Sequence, residues 1–378
     1  KEGKAASRAG REGGIGGGGG KRAVLREEMS IDGYKEHLVP IRIPRGRIAV
    51  SEDGGMAVIQ AQDHVVRFFD HNGRPAGHFG GRGQGPGEFI GMSRLGWYGD
   101  TLWVWDGRQQ RITLVSPSGA LVRTISLPVQ AKPSAEDEGE LPAFLEVYPE
   151  GLLRGGGLLA SLRHPTGQLA RQFQDQVSFA KISEDGVIEE FFFRLPIGDL
   201  SYHGPEGSAR LPFPNPNHWS VQPEPFRLVS AWAALRGPQA GSFQVSAFDK
   251  DGATVVSRRI PFEPKEIPKR VADSVLQRRM AALSPTLRRA FRQHAKVPPI
   301  FPPLDGILLG DDGTIWIEGT VDLRGRSYWA LEPWGDLIGV LFLPPSERVA
   351  VAMRDQIFTL GSDLFDVENI LRYSLNWK

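Results

Sequence analysis

The chain has 378 residues with 45 basic and 44 acidic side chains, so its net charge of +1 creates no global field that would favour nucleic acid or a membrane surface. Apolar residues make up 40% and charged residues 24% of the chain, as in an ordinary globular protein, and no run of 18 apolar residues is present. The absence of Cys excludes disulfides, thiolate catalysis and Cys-ligated zinc.

Residues 1–36 are predicted to be a Gly-rich, basic N-terminal extension. Gly16 to Gly20 form an unbroken glycine run, and such a segment buries too little apolar surface to offset the entropy lost on ordering. It is interpreted either as a flexible tail or as an arm that becomes ordered on a partner. Because the chain begins at Lys1 rather than Met, we expect a processed or trimmed N-terminus, which leaves an export signal neither shown nor excluded.

A strand–turn–strand phrase recurs five times in the rest of the chain. In each copy a short apolar strand runs into a polar turn that ends in Gly, the residue that tolerates positive φ, and a second apolar strand follows. The copies are residues 68–73, 114–119, 181–186, 247–252 and 330–335. Repeated hairpins of this kind are typical of a β-propeller.

The strand pattern predicts an all-β fold over residues 37–378, a six-bladed β-propeller. In chain order the blades cover residues 46–80, 93–128, 143–197, 218–263, 300–343 and 348–375. The sixth blade contains three strands, and a ring closes when one terminus donates a strand to the blade of the other, so we predict that residues 37–43 complete it. Residues 129–142 are predicted to be a loop, and the Pro-rich residues 198–217 a loop or an extended cover.

Residues 265–297 interrupt the strand pattern with a predicted αα-hairpin. Apolar residues recur at helical spacing over 269–283, and Ser284 and Pro285 supply an N-cap and a first-turn proline for a second helix. The insert carries nine positive and two negative side chains, a net charge of +7. It is interpreted either as an ordinary solvated helix surface or as a docking surface for an acidic protein or anionic lipid head groups. Nucleic acid is not expected, because Phe291 is the one aromatic residue among these arginines.

Residues 83–89, between the first two predicted blades, read Gly-Gln-Gly-Pro-Gly-Glu-Phe. This phrase, with Phe79 and Gly80 just before it, resembles the turn between blades in six-bladed β-propellers of the NHL-repeat and TolB-like group. The resemblance implies that the glycines form a sharp turn and that Phe89 fills the space between two blades. It points to a fold and not to an activity.

Some propellers of this group are calcium-dependent lactonases or zinc lyases, so the resemblance makes a metal-dependent enzyme an alternative. The eight His residues show no metal-ligand spacing, although His64 and His218 could face a central channel. Acidic turns such as residues 311–313 lack the spacing of a calcium loop, and no nucleophile elbow or P-loop is present. We therefore expect no catalytic residues, no metal and no cofactor. A further alternative, a small-ligand or glycan-binding propeller, requires Trp residues clustered on the channel face.

The preferred interpretation is a non-catalytic interaction or scaffold propeller, an accessory subunit that docks on a larger envelope or membrane-associated assembly. Its expected partner is a protein, with an anionic lipid surface as a second contact, and its expected location is periplasmic or extracytoplasmic at the membrane periphery. Trp334 occupies a hairpin turn where it should be exposed, and exposed Trp is a frequent interface anchor. The predicted partner-binding residues are Arg270, Arg278, Arg279, Arg288, Arg289, Arg292 and Trp334.

Overall fold

A computed structural model describes residues 21–33, 35–36, 38, 46–132, 145–163, 176–362 and 368–378. These residues form an all-β fold with two helices, and their strands build six sheets. Strand β1 (Lys21–Ile31) is followed by the first sheet, which contains β2 (Ile48–Val50), β3 (Met56–Gln60), β4 (Val65–Phe69) and β5 (Pro75–Gly80). The second sheet contains β6 (Met92–Tyr98), β7 (Thr101–Asp106), β8 (Arg111–Val115) and β9 (Leu121–Ser126).

The next sheets also follow chain order. The third contains β10 (Gln130–Ala131), β11 (Leu145–Leu152), β12 (Leu158–Arg163), β13 (Gln176–Ile182) and β14 (Ile188–Pro196). A two-stranded hairpin of β15 (Gly198–Gly204) and β16 (Gly207–Pro216) then forms where the sequence predicts a loop or an extended cover. The fourth large sheet contains β17 (His218–Gln222), β18 (Arg227–Ala234), β19 (Ser242–Phe248) and β20 (Thr254–Pro261).

The last sheet has eight strands because β1 joins it from the other end of the chain. It contains β21 (Leu304–Leu309), β22 (Ile315–Gly319), β23 (Arg326–Leu331), β24 (Leu337–Leu343), β25 (Glu347–Ala352), β26 (Gln356–Ser362) and β27 (Glu368–Trp377). Its order is β21-β22-β23-β24-β1-β27-β26-β25. Strand β1 is antiparallel to β27 from Ala23, opposite Trp377, to Ile31, opposite Ile370. It is parallel to β24 only through Lys21 and Arg22.

Strand β1 therefore corrects the predicted ring closure. An N-terminal segment does complete the last sheet, but the segment is Lys21–Ile31. The predicted residues 37–43 lie outside the described residues except for Leu38. The predicted extension 1–36 thus contains a strand of the fold, because the unpaired edge of β27 offers hydrogen-bond partners that composition alone does not reveal.

The sheets are arranged in a propeller-like ring. Six strands, spaced along the chain, contact one another in a closed cycle: β2 with β6, β6 with β11, β11 with β17, β17 with β21, β21 with β25, and β25 with β2. In the described part of the chain, four sheets of four or five strands stand separately and eight further strands form one continuous sheet, so these sheets do not divide into six separate blades. The ring places β2, β6, β11, β17, β21 and β25 on its inner side.

The recurring turn phrase has the predicted geometry. Each copy joins two consecutive antiparallel strands: β4 to β5, β8 to β9, β13 to β14, β19 to β20 and β23 to β24. Its final glycine has a φ between +75° and +94° in all five copies, Gly73, Gly119, Gly186, Gly252 and Gly335. The repeat therefore predicts strand positions well because a left-handed turn residue fixes where each hairpin reverses.

Phe89 fills the space between the first and second sheets, as the Gly-rich phrase implies. Its side chain is fully buried in a cluster with Ile59 and Val66 of the first sheet and Leu102 and Val104 of the second. The ring of Phe79 meets it edge to face, with the centroids 6.1 Å apart.

The buried carboxylate of Asp106 clamps the same junction. It accepts hydrogen bonds from the backbone N–H groups of Ile90 (2.6 Å), Gly91 (2.9 Å), Arg108 (3.0 Å) and Gln109 (3.0 Å). Burial acts to raise the pKa of Asp106, but the N–H donors, led by Gly91 and Ile90, outweigh it and hold the pKa below its ordinary value. The charged Asp106 side chain therefore connects the segment that leads into β6 with the turn that follows β7.

The predicted αα-hairpin is present between β20 and β21. Helix α1 (Lys269–Ala281) is followed by α2 (Pro285–His294), and the Ser284 hydroxyl accepts a hydrogen bond from Leu287 N at 3.4 Å, as expected for an N-cap. Both helices contact β16 of the neighbouring hairpin. The two ends of the insert meet in a bridge between Glu266 and Ile300, so the helices leave and rejoin the ring at one place.

Closure by β1 predicts that Ile31→Ala is strongly destabilising. Ile31 is 2% exposed and packs between the last and first sheets with Phe69, Phe358 and Ile370, so its truncation should lower the free energy of unfolding by about 2–4 kcal/mol. Urea unfolding followed by Trp fluorescence measures this loss. The control is Val24→Ala in the same strand, where the side chain is 47% exposed and a change within about 0.5 kcal/mol is expected. Equal effects of the two substitutions would contradict the packing of β1.

The Asp106 clamp predicts a pH-dependent contribution to stability. Since its folded-state pKa lies below that of an ordinary aspartate, the contribution is fully present above about pH 4 and is lost as the pH falls through the folded-state value. Asp106→Asn should lower the free energy of unfolding at neutral pH by about 2–4 kcal/mol, because the N–H donors lose a charged acceptor. Urea unfolding at several pH values should show this difference shrinking in acid, whereas the exposed control Asp100→Asn should have little effect at any pH. A difference that stays constant into acid would argue against the clamp.

Candidate functional site

The helical insert is anchored to the β15–β16 hairpin by one small apolar cluster. Leu287 and Phe291 of α2 are buried against Ala209 of β16, and Tyr202 of β15 packs at the edge of the cluster. The ring of Tyr202 meets that of Phe291 at 6.2 Å and stacks on that of His294 at 5.3 Å. The insert is thus supported by the hairpin, and the remaining sides of its helices carry the charges.

Arg289 and Arg292 lie on the side of α2 that faces away from the hairpin. The buried residues Leu287, Ala290 and Phe291 define one face, and at 100° per residue the two arginines project from the opposite face. Both are exposed. Their positive charge is therefore presented to solvent.

Three further predicted residues, Arg270, Arg278 and Arg279, are exposed on α1. Helix α1 has no buried residue, and Arg278 and Arg279 lie in its last turn, where a cation interacts favourably with the helix dipole. In the described part of the chain, none of these three residues, nor Arg289 or Arg292, forms an ion pair. The insert therefore presents five exposed arginines that form no ion pair in the described part of the chain.

Arg288 has a local role that the sequence did not indicate. Its guanidinium donates hydrogen bonds to the carbonyl oxygens of Met280 (2.8 Å) and Leu283 (2.9 Å). These carbonyls lie at and just beyond the C-terminal end of α1, and the Met280 carbonyl also accepts a hydrogen bond from Leu283 N at 3.1 Å. Arg288 thus joins the two helices and differs in this respect from the other predicted arginines.

Trp334 is exposed, as predicted, but it lies on a different part of the fold from the arginines of the insert. Its side chain is 58% exposed in the turn between β23 and β24, and its ring N–H donates to Asp336 Oδ2 at 2.9 Å. The neighbouring Gly335 lies against Val256 and Arg258 of β20. The arginines are supported by the β15–β16 hairpin and Trp334 by the fourth large sheet.

A cleft of about 430 Å³ lies at the inner strands of three neighbouring sheets, and the sequence interpretation did not include it. It is lined by residues of β6 and β7, of β11 and β12, and of β17, among them Arg94, Trp105, Tyr148, Glu150 and Trp219. Trp105 is the cross-strand neighbour of Arg94. The cleft therefore combines aromatic rings with charged groups.

An ion pair crosses this cleft from the second sheet to the third. Nη1 of Arg94 contacts the carboxylate of Glu150 and donates to the Pro149 carbonyl at 2.9 Å. The other carboxylate oxygen of Glu150 accepts a hydrogen bond from the Ser161 hydroxyl at 2.7 Å. The Glu150 side chain is 4% exposed and that of Arg94 34%, so the carboxylate is held in place and the guanidinium is partly accessible.

Tyr148 is the most accessible aromatic ring of the cleft. It is 40% exposed, its hydroxyl donates to Glu146 Oε2 at 2.9 Å, and the Arg163 guanidinium lies 5.1 Å from its ring centroid. Burial and the hydrogen bond to Glu146 raise the pKa of Tyr148, so its hydroxyl keeps its proton at neutral pH. The alternation of Glu146, Tyr148 and Glu150 near the start of the predicted third blade was the available signal for this site.

The two histidines considered for the channel have ordinary surroundings. His64 occupies the turn between β3 and β4 with a φ of +59°, and His218 Nε2 lies 3.2 Å from the Leu304 carbonyl oxygen. Among the residues that the structure describes, no three His, Asp or Glu side chains are grouped so that they could hold a metal ion. The described helices include none that is long and apolar enough to cross a membrane.

Comparison with known proteins places the chain by its fold alone. No family model matches the chain, and no curated protein matches it in sequence, so the NHL-repeat and TolB-like resemblance rests on the turn phrase and the repeated hairpins. A member of the DUF4221 family from Bacteroides vulgatus ATCC 8482 has a similar structure, with 11% identity, a TM-score of 0.51 and coverage of 94% of this chain and 98% of that chain.

Two further solved structures are similar at lower scores. A candidate exported protein from Bacteroides fragilis NCTC 9343 has 10% identity and a TM-score of 0.48, with 94% of this chain and 95% of that chain covered. A gluconolactonase from Xanthomonas campestris has 13% identity and a TM-score of 0.41, with 88% and 86% covered. The similarity to the DUF4221 family structure supports a propeller-like arrangement of sheets and specifies no activity.

Proposed function

We propose that this protein is a non-catalytic interaction propeller that binds an acidic surface of a protein partner through the arginines of its helical insert. The observation that carries the proposal is the group of five exposed arginines, none with an ion-pair partner in the described part of the chain, on an insert of net charge +7. A monomer has no need to concentrate uncompensated charge on one projecting element, whereas complementary charge steers the encounter with a partner and fixes its register.

The scaffold of this proposal is a six-bladed ring. Two observations support the count: the inner strands contact one another in a six-membered cycle, and the two halves of the eight-stranded sheet are joined by β1 and β24 through only two residue pairs. On this reading β21–β24 are the fifth blade, and β25–β27 with β1 are the sixth. The insert connects the fourth blade to the fifth.

A protein surface fits the insert better than a lipid surface. A helix that lies in a membrane interface buries large apolar side chains beneath its basic residues. The apolar side chains of α2 are turned towards the hairpin instead, and the described residues of the insert include no large exposed apolar side chain. The arginine forks are also suited to planar, bidentate contact with carboxylates.

The proposed partner belongs to an envelope or membrane-associated assembly, and the proposed location is periplasmic or extracytoplasmic, at the membrane periphery. This part of the proposal rests on a chain without Cys and on the basic insert. Osmotic-shock fractionation of cells that express the full-length protein tests it directly. Recovery of the protein with the cytoplasmic fraction would contradict the location without affecting the docking surface.

Charge reversal of the insert should abolish partner binding. The variant carries glutamate at four exposed positions and leaves Arg288 intact, since that residue joins the helices: Arg278→Glu, Arg279→Glu, Arg289→Glu and Arg292→Glu. Affinity capture from native soluble and membrane extracts, followed by identification of co-purifying proteins, should show a stoichiometric partner with the original protein. We expect the reversed variant to retain about a tenth of that partner or less, and raised salt to weaken the original complex.

A matched control distinguishes an effect of charge on the insert from an effect of the total charge of the protein. It reverses four exposed basic residues elsewhere and produces the same net change: Arg74→Glu, Arg82→Glu, Lys250→Glu and Arg259→Glu. This control should capture the partner as the original protein does. Equal capture by both variants would remove the docking proposal, and binding of the original protein to anionic vesicles without any protein partner would replace it with a lipid surface.

Deletion of the helices should leave the ring folded. Because Glu266 and Ile300 are already adjacent, residues 268–298 can be replaced by a short Gly-Ser linker without displacing β20 or β21. Thermal unfolding followed by circular dichroism should remain cooperative, and partner capture should be lost. A broad or missing transition would show that the ring depends on the insert.

A further inference from the structure

We propose that the inner cleft binds a small, neutral, polyhydroxylated ligand of the size of a mono- or disaccharide. The cleft volume of about 430 Å³ lies in the range of small-molecule sites, roughly 300–1,000 Å³. The site is separate from the helical insert, and the inference does not depend on the proposed interaction function.

The first argument is charge balance. The charged side chains that line the cleft are two arginines, Arg94 and Arg163, and two glutamates, Glu146 and Glu150. Arg94 is neutralised by Glu150, and Arg163 lies over the Tyr148 ring whose hydroxyl donates to Glu146. The lining therefore has no net charge. A ligand that carries a net charge therefore gains no net electrostatic attraction from this lining.

The second argument is the presence of fixed aromatic rings. Trp105, Tyr148 and Trp219 come from three different sheets and line one cleft, but Trp105 is 4% exposed, so Tyr148 and Trp219 are the rings that can meet a ligand. The Trp219 ring is held by an edge-to-face contact with Phe179, with the centroids 5.0 Å apart and the planes at 85°. The negative face of such a ring attracts the weakly positive C–H groups on the flat face of a pyranose. Rings fixed in this way bind without a large loss of side-chain freedom.

The third argument is the supply of both donors and acceptors. Among the described residues, the hydrogen bonds of Arg94 use Nη1, which leaves its Nη2 and Nε groups on a side chain that is 34% exposed. Ser93, Gln110 and the exposed Glu146 add a hydroxyl, an amide and a carboxylate. A hydroxyl group both donates and accepts, so a ligand with several hydroxyls can satisfy such a mixed lining. An apolar ligand would leave these polar groups unpaired.

Isothermal titration calorimetry with the full-length protein tests the proposal. The probes are D-glucose, D-galactose, maltose and cellobiose, each up to about 20 mM, with D-gluconate and glucose 6-phosphate as anionic analogues. We expect at least one neutral saccharide to bind, and both anionic analogues to bind more weakly than it does. No binding of the four neutral saccharides, or tighter binding of an anionic analogue, would overturn the proposal.

Two substitutions locate the binding in the cleft. Tyr148→Phe removes one accessible hydroxyl and should weaken the bound saccharide about fivefold to tenfold. The matched control is Tyr202→Phe, because Tyr202 also donates to a glutamate, Glu206 at 3.2 Å, but lies on the β15–β16 hairpin. The control should bind as the original protein does. Equal affinity of both variants and the original protein would show that any bound saccharide is elsewhere and would overturn the assignment.

Glu150→Gln tests the charge balance of the cleft through ligand preference, which a purely structural role of Glu150 would not change. It keeps the size of the side chain but leaves Arg94 without its carboxylate, so the cleft gains one positive charge. The variant should shift its preference towards D-gluconate relative to D-glucose by about tenfold. Its unfolding transition in urea serves as the check that it is folded. A folded variant with the original preference would contradict the charge-balance argument.

Discussion

An antiparallel sheet ends in a strand whose N–H and C=O groups have no partner, and the fold of this protein depends on how that edge is closed. Strand β1 pairs with β27 along most of its length and so covers the outer edge of the last strands. The same strand carries Met29 and Ile31 into a core shared with Phe69 of the first sheet. One segment near the N-terminus therefore completes the last sheet and joins it to the first, which closes the ring of inner strands.

The two candidate sites differ in how their charged side chains are paired. On the insert, five exposed arginines form no ion pair in the described part of the chain, and a single apolar cluster anchors their helices to the β15–β16 hairpin. In the cleft, two arginines and two glutamates give the lining no net charge: Arg94 pairs with the buried Glu150, and Arg163 lies over the Tyr148 ring. The first arrangement attracts an oppositely charged surface from a distance, whereas the second selects by hydrogen bonding and shape at close range.

Local patterns in the sequence predicted the hairpins because each is specified within about a dozen residues by alternation and a turn glycine. The observed hairpins β4–β5 and β19–β20, for example, reverse at the predicted turn glycines Gly73 and Gly252. What the sequence did not predict depends on partners that are distant along the chain. Lys21–Ile31 is rich in charge and becomes a strand because the edge of β27 supplies backbone hydrogen-bond partners for it. Glu150 belongs to the cleft because a different sheet brings Arg94 to it.

The pairing of β1 with β27 also constrains the order of events during synthesis. Arg22 and Lys378 exchange two backbone hydrogen bonds, of 2.7 and 3.0 Å, so β1, near the start of this sequence, is completed only after β27, near its end, has been synthesised. Until then β1 has no sheet to join, and an isolated strand edge is a site for aggregation. Five of its eleven residues are charged, which keeps such an edge soluble while the rest of the chain emerges. The charged composition that makes β1 resemble a flexible tail in the sequence thus also limits its aggregation before β27 is available for pairing.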